Sequence, residues 1–437
     1  DEEIYVAPYL SKPLYEKTKI KPHLASDPQK PWFSQDCRPP SRFMSCGPIP
    51  SEDESGDYLH LGPGSWADLA NRTSGTGKGG PVSGFAVAMT YAIARRATDI
   101  WKAYFQIPPE ECFPWYCRPE RQRLELVPII KETGSTRSAC ISGFGYVELG
   151  VASPDDQVVS QDSIYSRSSG LLVPYWLNSD VIAHELGHQF LYGLIGFGVA
   201  GKTDGQRDWM CVGNQAFRAF HETFADFAAF ISLLHFERER RKLIEVYVGA
   251  IFGTNPLTKI GKSSIGGSIR TIYNTAKFAD VAHIEDGDPA SAVKQYYDYS
   301  LVCSGILFDV FCVLILDQLV VLGGTTRGIA ARTTEKMFFA EIPDALDRRT
   351  PNAMAEFAQL LASLAFQDRY LIEEAVVIAR DELATVVADF IVRSEVCPEE
   401  FSFDLLRDGL VDAAARRASA SNRLPALISR CFERRAK

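Results

Sequence analysis

The sequence predicts an α+β protein, with a mixed α/β lobe first and a mainly α-helical lobe after it. Three observations support this prediction. Short strand-like runs lie between residues 124 and 175. Apolar residues recur with helical spacing on both sides of these runs. From residue 242 to residue 437 the pattern is almost wholly helical.

The length of the chain, 437 residues, is typical of two or three packed lobes. Residues 1–80 are rich in Pro, Gly, Ser and Asp, which predicts a loop-rich N-terminal arm or cover. Residues 81–241 are expected to form the mixed lobe, and residues 242–437 the helical lobe. The boundaries follow changes in composition and periodicity.

The mixed lobe should begin with a helix over residues 84–105, where apolar positions follow a helical period. Strands are expected within residues 124–130, 139–151 and 170–175. The second of these runs contains the Gly-rich segment 142–145, which predicts a bulge or an exposed edge strand.

Two helices should complete this lobe. The first is expected from Ser179 to Ile195, with Asp180 in the first turn, where the helix dipole favours an acidic side chain. Loop residues follow it, and the second helix is expected from Gln215 to Arg241, with Asn214 as its N-cap.

The helical lobe contains one long apolar run, from Leu301 to Leu322. It carries Asp309 and Asp317, which are costly inside lipid, so a buried core helix is expected and a membrane span is not. Cys303 and Cys312 lie within the run and are expected to be buried free thiols. Further helices are predicted over residues 354–366, 370–392 and 403–418.

Charge limits the classes of partner. The formal net charge is -9 and there is no basic stripe that could dock a phosphate backbone, so no nucleic-acid partner is expected. The ten cysteines are compatible with disulfides but do not decide whether the chain is secreted or cytoplasmic.

The strongest motif is His-Glu-Leu-Gly-His at residues 184–188. In a helix, His184 and His188 lie one turn apart on the same face, so both imidazoles can reach one metal ion. Zinc accepts imidazole nitrogen and, in catalytic sites, keeps one coordination position for water. Glu185 can then reach that water and act as general base, which predicts a zinc-dependent hydrolase.

A catalytic zinc ion needs a third protein ligand. The second helix offers Glu222 and Asp226, which are four residues apart and share a face. We expect Glu222 to bind zinc and Asp226 to accept a proton from a ligand imidazole, which fixes its tautomer. His221 is the rival third ligand, and it lies about 100° around the helix from Glu222.

These motifs resemble those of the gluzincins, the thermolysin-like clan of zinc peptidases. The resemblance implies a zincin-like fold for the mixed lobe, zinc bound by His184, His188 and Glu222, Glu185 as base and proton shuttle, and Asp226 as the orienting acid. It implies a peptide or protein substrate, whose backbone would bind an edge strand. The segment 143–150 is the candidate strand.

The same family uses a His or Tyr beyond the third ligand to stabilise the oxyanion, a task for hydrogen-bond donors. No position matches cleanly. Tyr297, in a cluster with Tyr296 and Tyr299, is the first candidate, and His283 is the second.

Three alternative functions are considered, and one of them is disfavoured. The missing oxyanion donor leaves room for a catalytically inactive zinc-binding scaffold. A zinc hydrolase of a non-peptide bond would carry the same motifs. A membrane-embedded zinc protease is disfavoured, because polar loops flank the motif and the mean hydropathy is only -0.07.

Overall fold

The structure is a computed structural model. It describes residues 84–108, 113–114, 124–127, 141–143, 146–149, 151–152, 173–174, 178–195, 214–245, 252–253, 255–261, 270–281, 289–339, 351–393, 396, 400–417 and 423–436. The predicted N-terminal arm, residues 1–80, lies outside this set.

Helices dominate the described residues. In chain order they are α1 (Gly84–Tyr104), α2 (Ser179–Ile195), α3 (Gln215–Leu234), α4 (Glu237–Glu245), α5 (Pro289–Val321), α6 (Arg327–Thr334), α7 (Pro351–Arg393), α8 (Phe403–Arg416) and α9 (Leu424–Ala436). Short 3-10 turns cover Pro256–Thr258 and Phe278–Asp280, and a π-helical segment covers Glu335–Phe339.

The strands of the described residues are only two or three residues long. They are β1 (Glu125–Val127), β2 (Ile141–Gly143), β3 (Tyr146–Glu148), β4 (Val151–Ala152), β5 (Val173–Pro174), β6 (Lys259–Ile260) and β7 (Arg270–Thr271). β3 pairs with β1 in parallel and with β2 in antiparallel orientation, and Val147 is opposite both Leu126 and Ser142. β4 and β5 are antiparallel.

The predicted fold class was wrong. The described part of the chain is mainly helical and does not form the mixed α/β, zincin-like lobe. The predicted strand runs do contain β1 to β5, which pair over two or three residues each within the described part of the chain. The longest predicted run contains Gly143, Gly145 and Gly150, and glycine weakens a strand because it loses much entropy and packs no side chain.

The candidate substrate-binding segment, 143–150, covers the last residue of β2 and all of β3. β3 is the central strand of its three-stranded sheet, in the order β1-β3-β2. Its backbone groups are therefore used by both neighbours and are not free to bind an extended substrate. Among the described residues β2 is at the edge of its sheet, so the binding of a substrate backbone there stays a prediction.

Two further boundaries differ from the prediction. The helix expected over 215–241 ends at Leu234, is capped by His235, and a separate helix follows from Glu237. Conversely, the two helices expected over 354–366 and 370–392 form one helix, α7. The helical residues at 367–369, Gln-Asp-Arg, continue the helix because none of them is a helix breaker.

By its internal contacts the chain divides into two compact units. The first comprises residues 1–102, 108–193 and 260–269. In its described part, Trp101 of α1 and Phe113 both lie against Phe190 of α2, with ring centroids 6.3 and 5.0 Å apart respectively. These buried aromatic contacts fix α2 within the unit.

The second unit comprises residues 103–107, 194–259 and 270–437. Its central helix is α5, which packs against α3, α6, α7 and α9. Phe230 of α3 meets Phe308 and Phe311 of α5 edge-on, at 5.9 and 5.1 Å between ring centroids. This helix therefore supplies the core of the unit.

One segment of the described residues, Lys294–Val321, is long and apolar enough to cross a membrane, and 89% of its most apolar stretch is buried. The expected absence of a membrane span stays a prediction. Cys303 and Cys312 are buried and form no disulfide, as predicted. Burial raises the pKa of Cys303 to about 12, since a thiolate would lose its solvation there.

Buried ion pairs join the C-terminal helix to this core. Arg435 of α9 donates to Asp309 Oδ2 at 2.7 Å, and the same guanidinium donates to the backbone oxygens of Asn274 and Ala276 at 2.8 and 2.9 Å. The negative charge of Asp309, which made a membrane span unexpected, is therefore paired with Arg435 inside the protein.

Gly409 sets the distance between α8 and α7. A Cβ atom at this position would lie 2.5 Å from Cδ2 of Phe390, whose ring is fully buried. We therefore expect Gly409→Ala to lower the free energy of unfolding by about 1–3 kcal/mol, the usual cost of overpacking. Urea unfolding followed by circular dichroism measures this difference.

The matched control is Gly328→Ala in α6, where the nearest atom, Nη1 of Arg332, is 3.5 Å from the added Cβ. This variant should be unchanged or gain up to about 1 kcal/mol, because alanine favours the helix. Equal stabilities for the two variants would show that Phe390 does not restrict position 409.

Candidate metal centre

Helix α2 presents the motif residues. It begins where predicted, with the backbone oxygen of Asn178 accepting a hydrogen bond from Ile182 N at 3.2 Å. Asp180 fixes this end: its Oδ1 accepts from Val181 N at 3.0 Å and its Oδ2 accepts from Gly261 N at 2.9 Å. Gly261 has a φ of 67°, which favours glycine at that position.

The two histidines of α2 lie one turn apart, as their spacing requires. The ring centroids of His184 and His188 are 4.9 Å apart and the rings are nearly perpendicular. His184 and Glu185 are buried, and His188 is partly buried. Burying such polar side chains on an apolar helix is costly unless each of them has a partner.

Helix α3 presents the acidic residues. Its N-cap is Asn214, as predicted, and the Asn214 side chain accepts from Ala216 N and Phe217 N at 2.9 and 3.1 Å. The side chain of Glu222 is 13% exposed and that of Asp226 is fully buried. Both carboxylates are thus held within a helix that is otherwise rich in apolar residues.

Among the described residues, His184, His188 and Glu222 form a group that could bind a metal ion. Each offers one ligand atom, and the three atoms all lie within 4.8 Å of one another. The group contains Glu222 and does not contain the rival ligand His221. Two imidazole nitrogens and one carboxylate oxygen are a donor set that suits zinc and other first-row transition metals.

An arginine that the sequence analysis did not select contacts both acids. Arg270 Nη1 donates to Glu222 Oε2 at 2.9 Å, and Arg270 Nε donates to Asp226 Oδ2 at 2.8 Å. The third nitrogen of this guanidinium, Nη2, donates to Ser300 Oγ at 2.6 Å. Arg270 begins the two-residue strand β7 and belongs to no recognisable motif, so its contacts with the two acids are visible only in the structure.

The predicted role of Asp226 stays a prediction. Its Oδ2 accepts from Arg270 and, at 3.5 Å, from Ser304 Oγ. Through these contacts Asp226 holds the guanidinium of Arg270 close to Glu222.

The candidate oxyanion donor Tyr297 lies beside these charges. Its ring centroid is 5.0 Å from the guanidinium carbon of Arg270, and 39% of the residue is exposed. The negative charge of Glu222 raises the pKa of Tyr297, so its phenol keeps its proton at neutral pH. The second candidate, His283, lies outside the described residues.

The chain was compared with known proteins in three ways. No protein-family model, no curated protein and no solved structure matches it.

His221 provides a test of burial around α3. Burial disfavours its charged form and lowers its pKa from 6.5 to about 3. The folded state therefore binds fewer protons than the unfolded state between these values, so stability falls as the pH falls through this window. The loss is about 1.4 kcal/mol for each pH unit below the unfolded pKa.

Replacing His221 with Gln, which binds no proton, should reduce this loss. Between about pH 7 and about pH 5, the variant should lose about 2 kcal/mol less unfolding free energy than the wild type. Urea unfolding at both pH values, with EDTA present to exclude metal, measures the difference. An identical pH dependence in the two proteins would contradict a buried, neutral His221.

Proposed function

We propose that this chain is a zinc-dependent metallopeptidase that hydrolyses peptide bonds. One observation carries the proposal: the ligand atoms of His184, His188 and Glu222 lie within 4.8 Å of one another, and Glu185 directly follows the first of these ligands. This combination of residues is the one through which the chain resembles the gluzincins.

His184, His188 and Glu222 would hold the zinc ion through two imidazoles and one carboxylate. A zinc ion bound there would act as a Lewis acid toward the substrate carbonyl and would lower the pKa of water. Glu185 would accept a proton from the attacking water and later deliver it to the leaving nitrogen of the substrate. Because Glu185 is buried, its carboxylate has little competing contact with bulk water.

Tyr297 is the candidate donor to the substrate oxygen. Its phenol is protonated at neutral pH, so its O–H can donate to a carbonyl oxygen that gains negative charge. Its exposed fraction of 39% leaves part of the side chain accessible to a ligand.

The metallopeptidase proposal makes a specific prediction for Glu185→Gln. Glutamine is nearly isosteric but cannot accept the proton, so cleavage of a peptide library should fall by about 100-fold or more. Zinc content should be unchanged, because residue 185 is not among the proposed ligands. Mass spectrometry of the cleaved peptides and elemental analysis of the protein give the two readouts.

The same experiment separates the alternatives. Zinc retention without any Glu185-dependent cleavage would favour an inactive zinc-binding scaffold. Zinc retention with Glu185-dependent hydrolysis of ester or amide substrates, and none of peptides, would favour a zinc hydrolase of non-peptide bonds.

A further inference from the structure

A guanidinium in direct contact with a proposed metal ligand needs an explanation. Arg270 donates one hydrogen bond to Glu222 and a second to Asp226, and its side chain is only 10% exposed. The planar guanidinium makes these bonds in fixed directions, unlike the flexible ammonium group of lysine. The position of the Glu222 carboxylate is thereby tied to that of the Asp226 carboxylate.

The guanidinium is itself anchored from a second helix. Arg270 Nη2 donates to Ser300 Oγ, and that hydroxyl in turn donates to the backbone oxygen of Tyr297 at 2.7 Å. The backbone oxygen of Ser300 accepts from Thr223 Oγ1, on the residue after Glu222, at 3.2 Å. Groups on α3 and α5 therefore hold the arginine from three sides.

We propose that Arg270 is a positioning residue for the third metal ligand. It acts through Glu222: the guanidinium occupies Oε2 with a hydrogen bond and limits the rotation of the carboxylate that is offered to the ion. Asp226 and Ser300 orient the guanidinium. The inference rests on the metal site of the proposed function. It gives Arg270 the role of raising the affinity of that site for zinc.

Two effects of Arg270 on metal affinity oppose each other. Its positive charge repels a bound cation, but it is outnumbered by the two carboxylates that it contacts, so the cluster of three keeps a net negative charge. Without the arginine, Glu222 gains rotational freedom that metal binding must remove. Hydrogen bonds to ligating groups typically raise metal affinity, and this gain should outweigh the repulsion.

The test compares zinc affinity in the full chain and its variants by competition with a chromophoric chelator. Arg270→Met should weaken zinc binding by about 10- to 100-fold, the usual effect of losing a hydrogen-bond partner of a ligand. Arg270→Lys, which keeps the charge but loses the planar fork, should recover only part of the affinity. The absorption bands of the cobalt-substituted protein should shift in Arg270→Met, because the geometry of the carboxylate changes.

The matched control is Arg380→Met. The side chain of Arg380 is also mostly buried, at 7% exposed, and it contacts Asp381 and the backbone oxygen of Leu234. This variant should lose stability while keeping wild-type zinc affinity and an unchanged cobalt spectrum. If Arg270→Met fails to fold, Arg270→Lys still carries the prediction of weaker binding.

Zinc affinity that is equal or higher in both Arg270 variants would overturn the inference, as would a wild-type chain that binds no zinc. Neither readout uses a substrate. An Arg270 variant with weakened zinc binding, in a chain that cleaves no peptide, would therefore support the inference and reject the proposed function.

Discussion

The neutralisation of charge on apolar helices is the constraint on which the rest of this structure depends. Helices α2, α3 and α5 are long, mainly apolar and largely buried, and each carries acidic or imidazole side chains. A buried charge is costly unless it is paired. Asp309 is paired with Arg435, and Asp226 is paired with Arg270. His184, His188 and Glu222 are gathered into one group whose donors suit a cation.

The local elements were largely predictable because helix signals are short-range. The bounds of α2 and the Asn214 cap follow from apolar periodicity and from side chains that satisfy backbone N–H groups. The pairing of Glu222 with the two histidines followed from metal chemistry, since a carboxylate on an apolar helix calls for a partner. These inferences needed no knowledge of the tertiary structure.

The fold class and the contacts of Arg270 were not predictable from short-range sequence signals. Whether an apolar run becomes a strand depends on distant pairing partners, and in the described residues of the run at 139–151 the strands are two or three residues long. Arg270 lies 44 residues beyond Asp226, and no spacing rule relates a residue of a short strand to a helix at that distance. Its role becomes visible only when the hydrogen bonds of the buried carboxylates are traced.

The most direct test of the metal centre is zinc K-edge X-ray absorption on the purified chain, together with that of Glu222→Gln. The wild type should show two imidazole nitrogens at about 2.0–2.1 Å and oxygen ligands at about 2.0–2.2 Å. Glu222→Gln should bind zinc more weakly or lose an oxygen ligand. Absence of bound zinc, sulfur scattering at about 2.3 Å, or a spectrum unchanged by the substitution would contradict the assignment of these three residues as ligands.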